Sequence, residues 1–141
     1  MGLHGIKKIL LVEDCPSDAF LLEHMLAGVC VTDRIDITHV SRLIDAFQRI
    51  EEEFFDLILL DLNLLDMDGV ASVAALSTEA PSIPIIVYSG TENRKIREAA
   101  LMCGAAGYLI KGRENGLSLR LAIDHAIQSG RNAAPALQRY N

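Results

Sequence analysis

Polar side chains that could do chemistry follow four apolar runs of this sequence. They are Glu13 and Asp14 after the first run, and then Asp61, Ser89 and Lys111, each after a later run. Short apolar runs without alternation are typical of strands that are buried on both faces of a parallel sheet. Because ligands bind beyond the carboxyl ends of the strands in open α/β sheets, we expect these side chains to share one edge of the sheet.

The carboxylates among them favour a site for a hard divalent cation. Glu13, Asp14 and Asp61 would repel one another without a counter-charge, and Mg²⁺ prefers one or two carboxylates together with water and phosphate oxygens. A carboxylate can also attack phosphorus and form an aspartyl phosphate. Phosphoryl transfer depends mostly on positioning and on neutralised charge. Lys111 would supply a second cation, and the hydroxyl of Ser89 could donate a hydrogen bond to a phosphoryl oxygen.

The apolar pattern along the chain predicts five strands, each followed by a helix. The strands are predicted over residues 8–12, 34–40, 57–60, 83–88 and 107–110. The helices are predicted over about 16–28, 41–53, 69–81, 93–103 and 117–128. Since crossovers between parallel strands are right-handed, this alternation predicts an α/β fold with one parallel sheet between two helix layers.

Helical spacing predicts which helix faces are buried. In the second helix, for which Ser41 is the expected cap, the residues predicted to face the core are Leu43, Ile44, Phe47 and Ile50. In the last helix, the predicted core stripe consists of Leu119, Ala122, Ile123, Ala126 and Ile127. Leu117 and Leu121 fall roughly opposite that stripe, and Leu101 faces outward on the fourth helix.

Composition narrows the class of protein. The 141 residues fit one domain, predicted over 1–131 with a short tail over 132–141, and 50% hydrophobic residues indicate a globular chain. A net charge of -6 without a Lys/Arg run argues against direct nucleic-acid binding. No apolar run approaches a membrane span, so no membrane contact is expected. The three cysteines, Cys15, Cys30 and Cys103, lack CxxC spacing, which favours reduced thiols and a cytoplasmic location.

Four segments together resemble the receiver domain of the response-regulator family in two-component signal transduction. They are Leu11-Val12-Glu13-Asp14, Leu59-Leu60-Asp61-Leu62-Asn63 with Met67-Asp68-Gly69, Val87-Tyr88-Ser89-Gly90, and Tyr108-Leu109-Ile110-Lys111. The resemblance extends from Lys7 to about Arg131. It implies a doubly wound, flavodoxin-like (βα)5 sandwich whose five-stranded parallel sheet has the order 2-1-3-4-5.

The resemblance also implies the roles of the site residues. Asp61 would accept a phosphoryl group from a histidine kinase or a histidine phosphotransfer protein. Asp14, Asp61 and the backbone carbonyl of Asn63 would hold Mg²⁺, with Glu13 acting through water. Lys111 and Ser89 would hold the phosphoryl group. The chain would then not be an enzyme in the wider sense, because it would catalyse only its own phosphorylation and dephosphorylation.

A switch and an output surface are implied by the same resemblance. Ser89 would move toward the phosphoryl oxygens, and Tyr108 would turn into the space that Ser89 leaves. The surface of the fourth helix, fifth strand and last helix would report this change. Leu101, Leu117 and Leu121 on that surface would suit a homodimer or another partner.

The sequence departs from the family pattern in three places. Leu65 stands where the family usually has proline, so the loop over residues 62–68 is expected to be less rigid. Gly112 follows Lys111 where proline is common, and a trans peptide bond is therefore expected. Ser89-Gly90 replaces the commoner Thr-Ala pair but keeps a hydroxyl and a small neighbour.

Other functions remain open at the level of sequence. The chain could be a receiver-like interaction scaffold that works without phosphorylation, or an N-terminal regulatory fragment of a larger sensor or diguanylate-cyclase protein. A Mg²⁺-dependent phosphatase of the dehalogenase type is disfavoured, because Asn63 stands where its second aspartate would be. Asp66 and Asp68 could form a further metal pair, although a solvated loop is the favoured interpretation.

Overall fold

Five strands alternate with five helices in the computed structural model, as the apolar pattern predicts. Its description covers residues 5–29, 33–64, 66–67 and 69–140, with 131–140 described by their backbone alone. The strands are β1 (Ile6–Val12), β2 (Arg34–Val40), β3 (Leu57–Leu60), β4 (Ile85–Ser89) and β5 (Gly107–Ile110). The helices are α1 (Pro16–Ala27), α2 (Leu43–Glu52), α3 (Ala71–Glu79), α4 (Arg94–Met102) and α5 (Gly116–Tyr140).

The strands form one parallel sheet in the order β2-β1-β3-β4-β5. The central strand β3 pairs with β1 through Leu57 opposite Ile9, and with β4 through Ile58 opposite Ile85. Every residue of β3 is fully buried, which explains why its sequence shows no polar alternation. The doubly wound, flavodoxin-like fold predicted from the sequence is therefore confirmed.

Alternate residues of the same strands pack into two separate cores, one on each face of the sheet, because side chains alternate along a strand. Leu10 and Ile58 belong to the core that α2, α3 and α4 cover. Ile9 and Leu59 belong to the core that α1 and α5 cover. Burial of each such side chain contributes about 1.5–3 kcal/mol, so both layers hold the sheet rigidly.

Two helix predictions need correction. Ile44 was expected to face the core, but it is 61% exposed. The buried stripe of α2 runs through Leu43, Ala46 and Phe47, and Ile44 lies one residue, or about 100°, away from that stripe. The last helix was expected to end near Gln128, but its backbone continues to Tyr140 past Gly130 and Pro135. The strong helix formers Ala133, Ala134, Ala136 and Leu137 in that stretch favour this extension. The domain boundary at residue 131 stays a prediction.

The structure bears on two of the predictions from composition, those on free thiols and on membrane-spanning helices. Cys15 and Cys103 are free thiols, whereas Cys30 lies outside the described residues. None of the helices in the described part of the chain is both long and apolar enough to cross a lipid bilayer. The expected cytoplasmic location and the expected lack of nucleic-acid binding stay predictions.

A close approach between α1 and α5 requires glycine at position 116. A Cβ atom on Gly116 would lie 2.4 Å from the carbonyl oxygen of Met25 and 2.8 Å from a methyl carbon of Val29. We therefore expect Gly116→Ala to lower the free energy of unfolding by about 1–3 kcal/mol, because the backbone of α1 would have to shift. Urea denaturation measures this change.

Gly28→Ala is the matched control at the end of α1. Gly28 has φ of -79°, and a Cβ atom there would meet its nearest neighbour at 3.7 Å, an ordinary contact. The free energy of unfolding of the Gly28→Ala variant should differ from the wild-type value by less than about 0.5 kcal/mol. Equal destabilisation by the two substitutions would contradict the close approach.

Candidate functional site

The carboxyl ends of the strands bring the predicted site residues to one edge of the sheet. Backbone hydrogen bonds continue one residue past the strands and fix these positions. The N–H of Asp61 donates to the carbonyl of Val12 at 3.0 Å, and the N–H of Lys111 donates to the carbonyl of Ser89 at 2.8 Å. Glu13 follows β1 at the same edge. The expectation that the polar residues after the strands converge is thus met by the geometry.

Lys111 lies at the centre of this group. Its Nζ atom is 2.6 Å from Oε1 of Glu13, 2.8 Å from Oδ2 of Asp18 and 3.4 Å from Oδ2 of Asp61. The side chains of Glu13 and Asp61 are almost completely buried. Water screens the contacts with these two carboxylates little, but one ammonium group can offset only part of the charge of three carboxylates.

The pKa values of the two groups follow from this arrangement. Burial, and secondly the contact with Asp61, raises the pKa of Glu13 to about 7, although Lys111 acts in the opposite direction. Burial alone would lower the pKa of Lys111, but hydrogen bonds to Asp18 and Glu13 raise that pKa above its ordinary value. Lys111 therefore stays an ammonium ion at neutral pH.

Three carboxylates form a group that fits a divalent cation. Glu13, Asp14 and Asp61 each offer one oxygen atom, and these atoms lie within 4.8 Å of one another. All the donors are hard oxygens, which is the chemistry that Mg²⁺ requires. The backbone N–H of Asn63 donates to Oδ1 of Asp61 at 3.3 Å and helps to orient the carboxylate. Metal binding by the carbonyl of Asn63 stays a prediction.

The two predicted switch residues meet at Thr91. The hydroxyl oxygen of Ser89 accepts a hydrogen bond from the N–H of Thr91 at 3.2 Å. The hydroxyl of Tyr108 donates to the carbonyl of Thr91 at 2.8 Å, and its ring is buried in the core under α4. A movement of the loop at Thr91 would therefore affect both side chains. The switch itself stays a prediction.

Two contacts at this edge were not predicted. Asp18 pairs with Lys111, and Nε2 of His39 lies 2.7 Å from the backbone carbonyl oxygen of Glu13, to which the ring must donate. The position of Asp18 in the first turn of α1, four residues after Asp14, is the feature that could have indicated its role.

Asp66 caps helix α2 from the loop that follows β3. Its carboxylate accepts hydrogen bonds from the backbone N–H groups of Leu43 at 3.0 Å and Ile44 at 3.1 Å. Ser41, the expected cap, does not serve this role, because Arg42 is the N-cap residue and makes no side-chain cap. The loop that follows Asp61 is thereby hydrogen-bonded to α2, which packs on the same face of the sheet as α3 and α4.

The remaining loop predictions concern residues 62–68 and the peptide bond after Lys111. Leu65 and Asp68 lie outside the described residues. The expected lower rigidity of the 62–68 loop and the possible Asp66–Asp68 metal pair therefore stay predictions. The peptide bond between Lys111 and Gly112 is trans, as predicted.

The predicted interface residues Leu101, Leu117 and Leu121 are all exposed. Association through them stays a prediction. Met102 on α4, and Phe20 and Leu21 on α1, are exposed apolar residues that the sequence pattern does not assign to any surface.

The cap on α2 predicts a pH-dependent contribution to stability. Burial by itself raises the pKa of Asp66, but the bonds from Leu43 and Ile44 lower it below its ordinary value of 3.8. A carboxyl with a lowered pKa stabilises the fold above its ordinary pKa, and this stabilisation is lost as the pH falls through the folded-state pKa. Asp66→Ala should lower the free energy of unfolding by about 0.5–2 kcal/mol at pH 7, and by progressively less below pH 3.8.

Asp66→Asn is the control, because an asparagine oxygen caps helices about as well and does not titrate. It should keep most of the stability at pH 7. Urea denaturation as a function of pH tests both variants. If Asp66→Asn and Asp66→Ala are equally destabilised, the capping contact does not hold α2.

A protein-family model described as the response regulator receiver domain matches residues 9–122. Transcriptional regulatory protein ZraR of Escherichia coli K12 is 29% identical over 140 residues, which cover 96% of this chain and 31% of ZraR. Regulatory protein LuxO of Vibrio cholerae is 34% identical over 118 residues, which cover 84% of this chain and 25% of LuxO. The chain therefore spans only a minor part of the length of these relatives.

Solved structures share the fold. A two-component response regulator from Clostridium difficile is 25% identical with a TM-score of 0.72, and the match covers 87% of this chain and 96% of that one. The receiver domain of a sensor histidine kinase from Pseudomonas aeruginosa PAO1, with a magnesium ion coordinated in its active site cleft, is 27% identical with a TM-score of 0.73. That match covers 86% of this chain and 98% of the other.

Proposed function

The chain belongs to the response regulator receiver domain family, and on this premise we propose that Asp61 accepts a phosphoryl group from a phosphohistidine. The observation that supports the proposal best is the contact between the buried carboxylate of Asp61 and the ammonium group of Lys111, beside two further carboxylates. A nucleophile, a fixed cation and a metal-binding set are what aspartyl phosphorylation requires.

The proposed phosphodonor is a histidine kinase or a histidine phosphotransfer protein. An oxygen of Asp61 attacks the phosphorus atom, the bond between phosphorus and the imidazole nitrogen breaks, and the electron pair of that bond returns to the imidazole. Lys111 and the hydroxyl of Ser89 donate hydrogen bonds to the phosphoryl oxygens. Attack by water on the phosphorus later releases phosphate and regenerates Asp61. The catalysis is thus limited to the chain's own modification.

Mg²⁺ is the proposed cofactor. Glu13, Asp14 and Asp61 would hold it, with the backbone carbonyl of Asn63. The donor set supports this assignment, as does the magnesium ion in the active site cleft of the Pseudomonas receiver domain. When bound, the ion neutralises negative charge on the phosphoryl oxygens. Glu13 and Asp61 are held for this task by the buried strand ends, and Lys111 balances the charge that remains.

The output is proposed to pass through the surface of α4, β5 and α5. Ser89 and Tyr108 share the contact with Thr91, so a phosphoryl group that draws Ser89 toward it would change the position of the tyrosine ring. Leu101, Leu117 and Leu121 then form part of a surface for a second copy of the chain. The relatives are much longer proteins. The proposal for this chain is therefore limited to a regulatory role of the receiver domain and names no downstream activity.

Replacement of the acceptor tests the proposal. Incubation with acetyl phosphate and Mg²⁺ should add one phosphoryl group to the wild-type protein, because acetyl phosphate carries a reactive phosphoryl group like that of phosphohistidine. Asp61→Asn should show no adduct, since its amide cannot form an acyl phosphate. Intact-mass spectrometry gives the result directly.

Asp45→Asn is the matched control, because Asp45 is a partly exposed aspartate in the first turn of α2 that pairs with Arg42, away from the site. It should be modified like the wild type. A wild-type protein without an adduct would favour a scaffold that works without phosphorylation, and an adduct that persists in Asp61→Asn would exclude Asp61 as the acceptor.

Metal addition should stabilise the fold measurably. At a Mg²⁺ concentration about tenfold above Kd, the free energy of unfolding should rise by about 1.4 kcal/mol, because the ion binds the folded state. Asp14→Asn should lose most of this rise, since it removes one of the three carboxylates. Thermal denaturation with Mg²⁺, with EDTA and with NaCl of equal ionic strength provides the comparison. An equal rise in NaCl or in Asp14→Asn would contradict binding by Asp14.

A further inference from the structure

Asp18 contributes a contact that the proposed mechanism does not use. An ammonium group has three N–H donors. The ammonium group of Lys111 contacts three carboxylates from three parts of the fold, namely Glu13 after β1, Asp18 in the first turn of α1 and Asp61 after β3. Asp18 is not a member of the three-carboxylate group that fits a metal ion. Asp18 therefore reaches the site through its contact with Lys111.

The three contacts of Lys111 differ in length. Nζ lies 2.6 Å from Glu13 and 2.8 Å from Asp18, both good distances for a charge-assisted hydrogen bond, whereas Asp61 is 3.4 Å away. The N–H bonds of an ammonium group have fixed tetrahedral directions. When two of them are held by Glu13 and Asp18, the third is left for the longer contact with Asp61.

We propose that Asp18 is a positioning residue for phosphoryl transfer, which together with Glu13 directs the third N–H of Lys111 at Asp61 and at the oxygens of a phosphoryl group bound there. This inference rests on the proposed function. The long third contact leaves that N–H available, because an oxygen of the phosphoryl group can replace the carboxylate oxygen of Asp61 without disturbing the two shorter bonds.

The two anchoring carboxylates are themselves held in place. Asp18 belongs to a helix that begins with Pro16, and the neighbouring residues Ala19 and Leu22 are buried against the sheet. An acidic side chain in the first turn also interacts favourably with the helix dipole. The second oxygen of Glu13 accepts a hydrogen bond from the N–H of Cys15 at 3.3 Å. Both anchors therefore restrict the long and flexible lysine side chain.

An exposed ion pair with no role in phosphoryl transfer would show the same contact between Asp18 and Lys111. The side chain of Asp18 is 44% exposed, and exposed pairs contribute little to stability. The side chain of Lys111, however, is only 20% exposed, and its two other partners are buried. Kinetics distinguishes a positioning residue from a surface ion pair, because a positioning residue affects the rate of phosphoryl transfer more than the stability of the fold.

The first test measures phosphorylation by acetyl phosphate at saturating Mg²⁺ as a function of donor concentration. Asp18→Asn should lower the maximal rate roughly tenfold, because a misdirected ammonium group stabilises the transferring phosphoryl group less well. The Kd for Mg²⁺, measured by calorimetry, should not change. Asp18→Glu should restore most of the rate, since its longer carboxylate can still reach Nζ. Glu23→Gln, which removes an exposed charge from the same helix, should behave like the wild type.

A double-mutant cycle tests whether Asp18 acts through Lys111. In a Lys111→Ala background, Asp18→Asn should not slow the remaining phosphorylation further. Equal rates for Asp18→Asn and the wild type would overturn the inference, as would the same fold-change in both backgrounds.

A second measurement separates this inference from the proposed function. In nitrogen-15 NMR spectra of the metal-free protein, the ammonium protons of Lys111 should give a resolved signal in the wild type and in Glu23→Gln, and should lose it in Asp18→Asn. A wild-type protein that is not phosphorylated but shows this pattern would refute the proposed function and leave the anchoring of Lys111 intact. An unchanged signal in Asp18→Asn would refute the anchoring.

Discussion

The site depends on one ammonium group that is shared among carboxylates at the edge of a buried sheet. Glu13 and Asp61 are nearly inaccessible to water, and Lys111 contacts both of them. Charges buried in this way are costly unless they are paired. The same arrangement leaves the group of carboxylates short of positive charge, and this deficit suits a divalent cation.

The sheet makes this concentration of charge possible. β1, β3 and β5 end at the same edge, and their order in the sheet places β3, which ends before Asp61, between β1 and β4. Because both faces of β3 are covered, the strand end cannot move away from its neighbours to relieve repulsion. The apolar core is thus the reason why the carboxylates stay together, and Lys111 is the local compensation.

Sequence patterns predicted the parts of the structure that depend on local order. The runs that form β2, β3 and β5 gave the bounds that the structure has, and the positions after the strands gave Asp61 and Lys111. The contacts of Asp18 with Lys111 and of Asp66 with Leu43 were not predicted. These partners are 93 and 23 residues apart in the chain, and no local spacing encodes such contacts. Ile44 was misjudged because an apolar residue beside a buried stripe is not necessarily part of it.

The most direct test of the central claim is to identify the modified residue chemically. Borohydride reduces an acyl phosphate to an alcohol, so an aspartyl phosphate is converted to homoserine, which tandem mass spectrometry can locate. After incubation with acetyl phosphate and Mg²⁺, homoserine is predicted at position 61 and should be absent when the donor or Mg²⁺ is omitted. Homoserine at another aspartate, or none under any condition, would contradict the assignment of Asp61 as the phosphoryl acceptor.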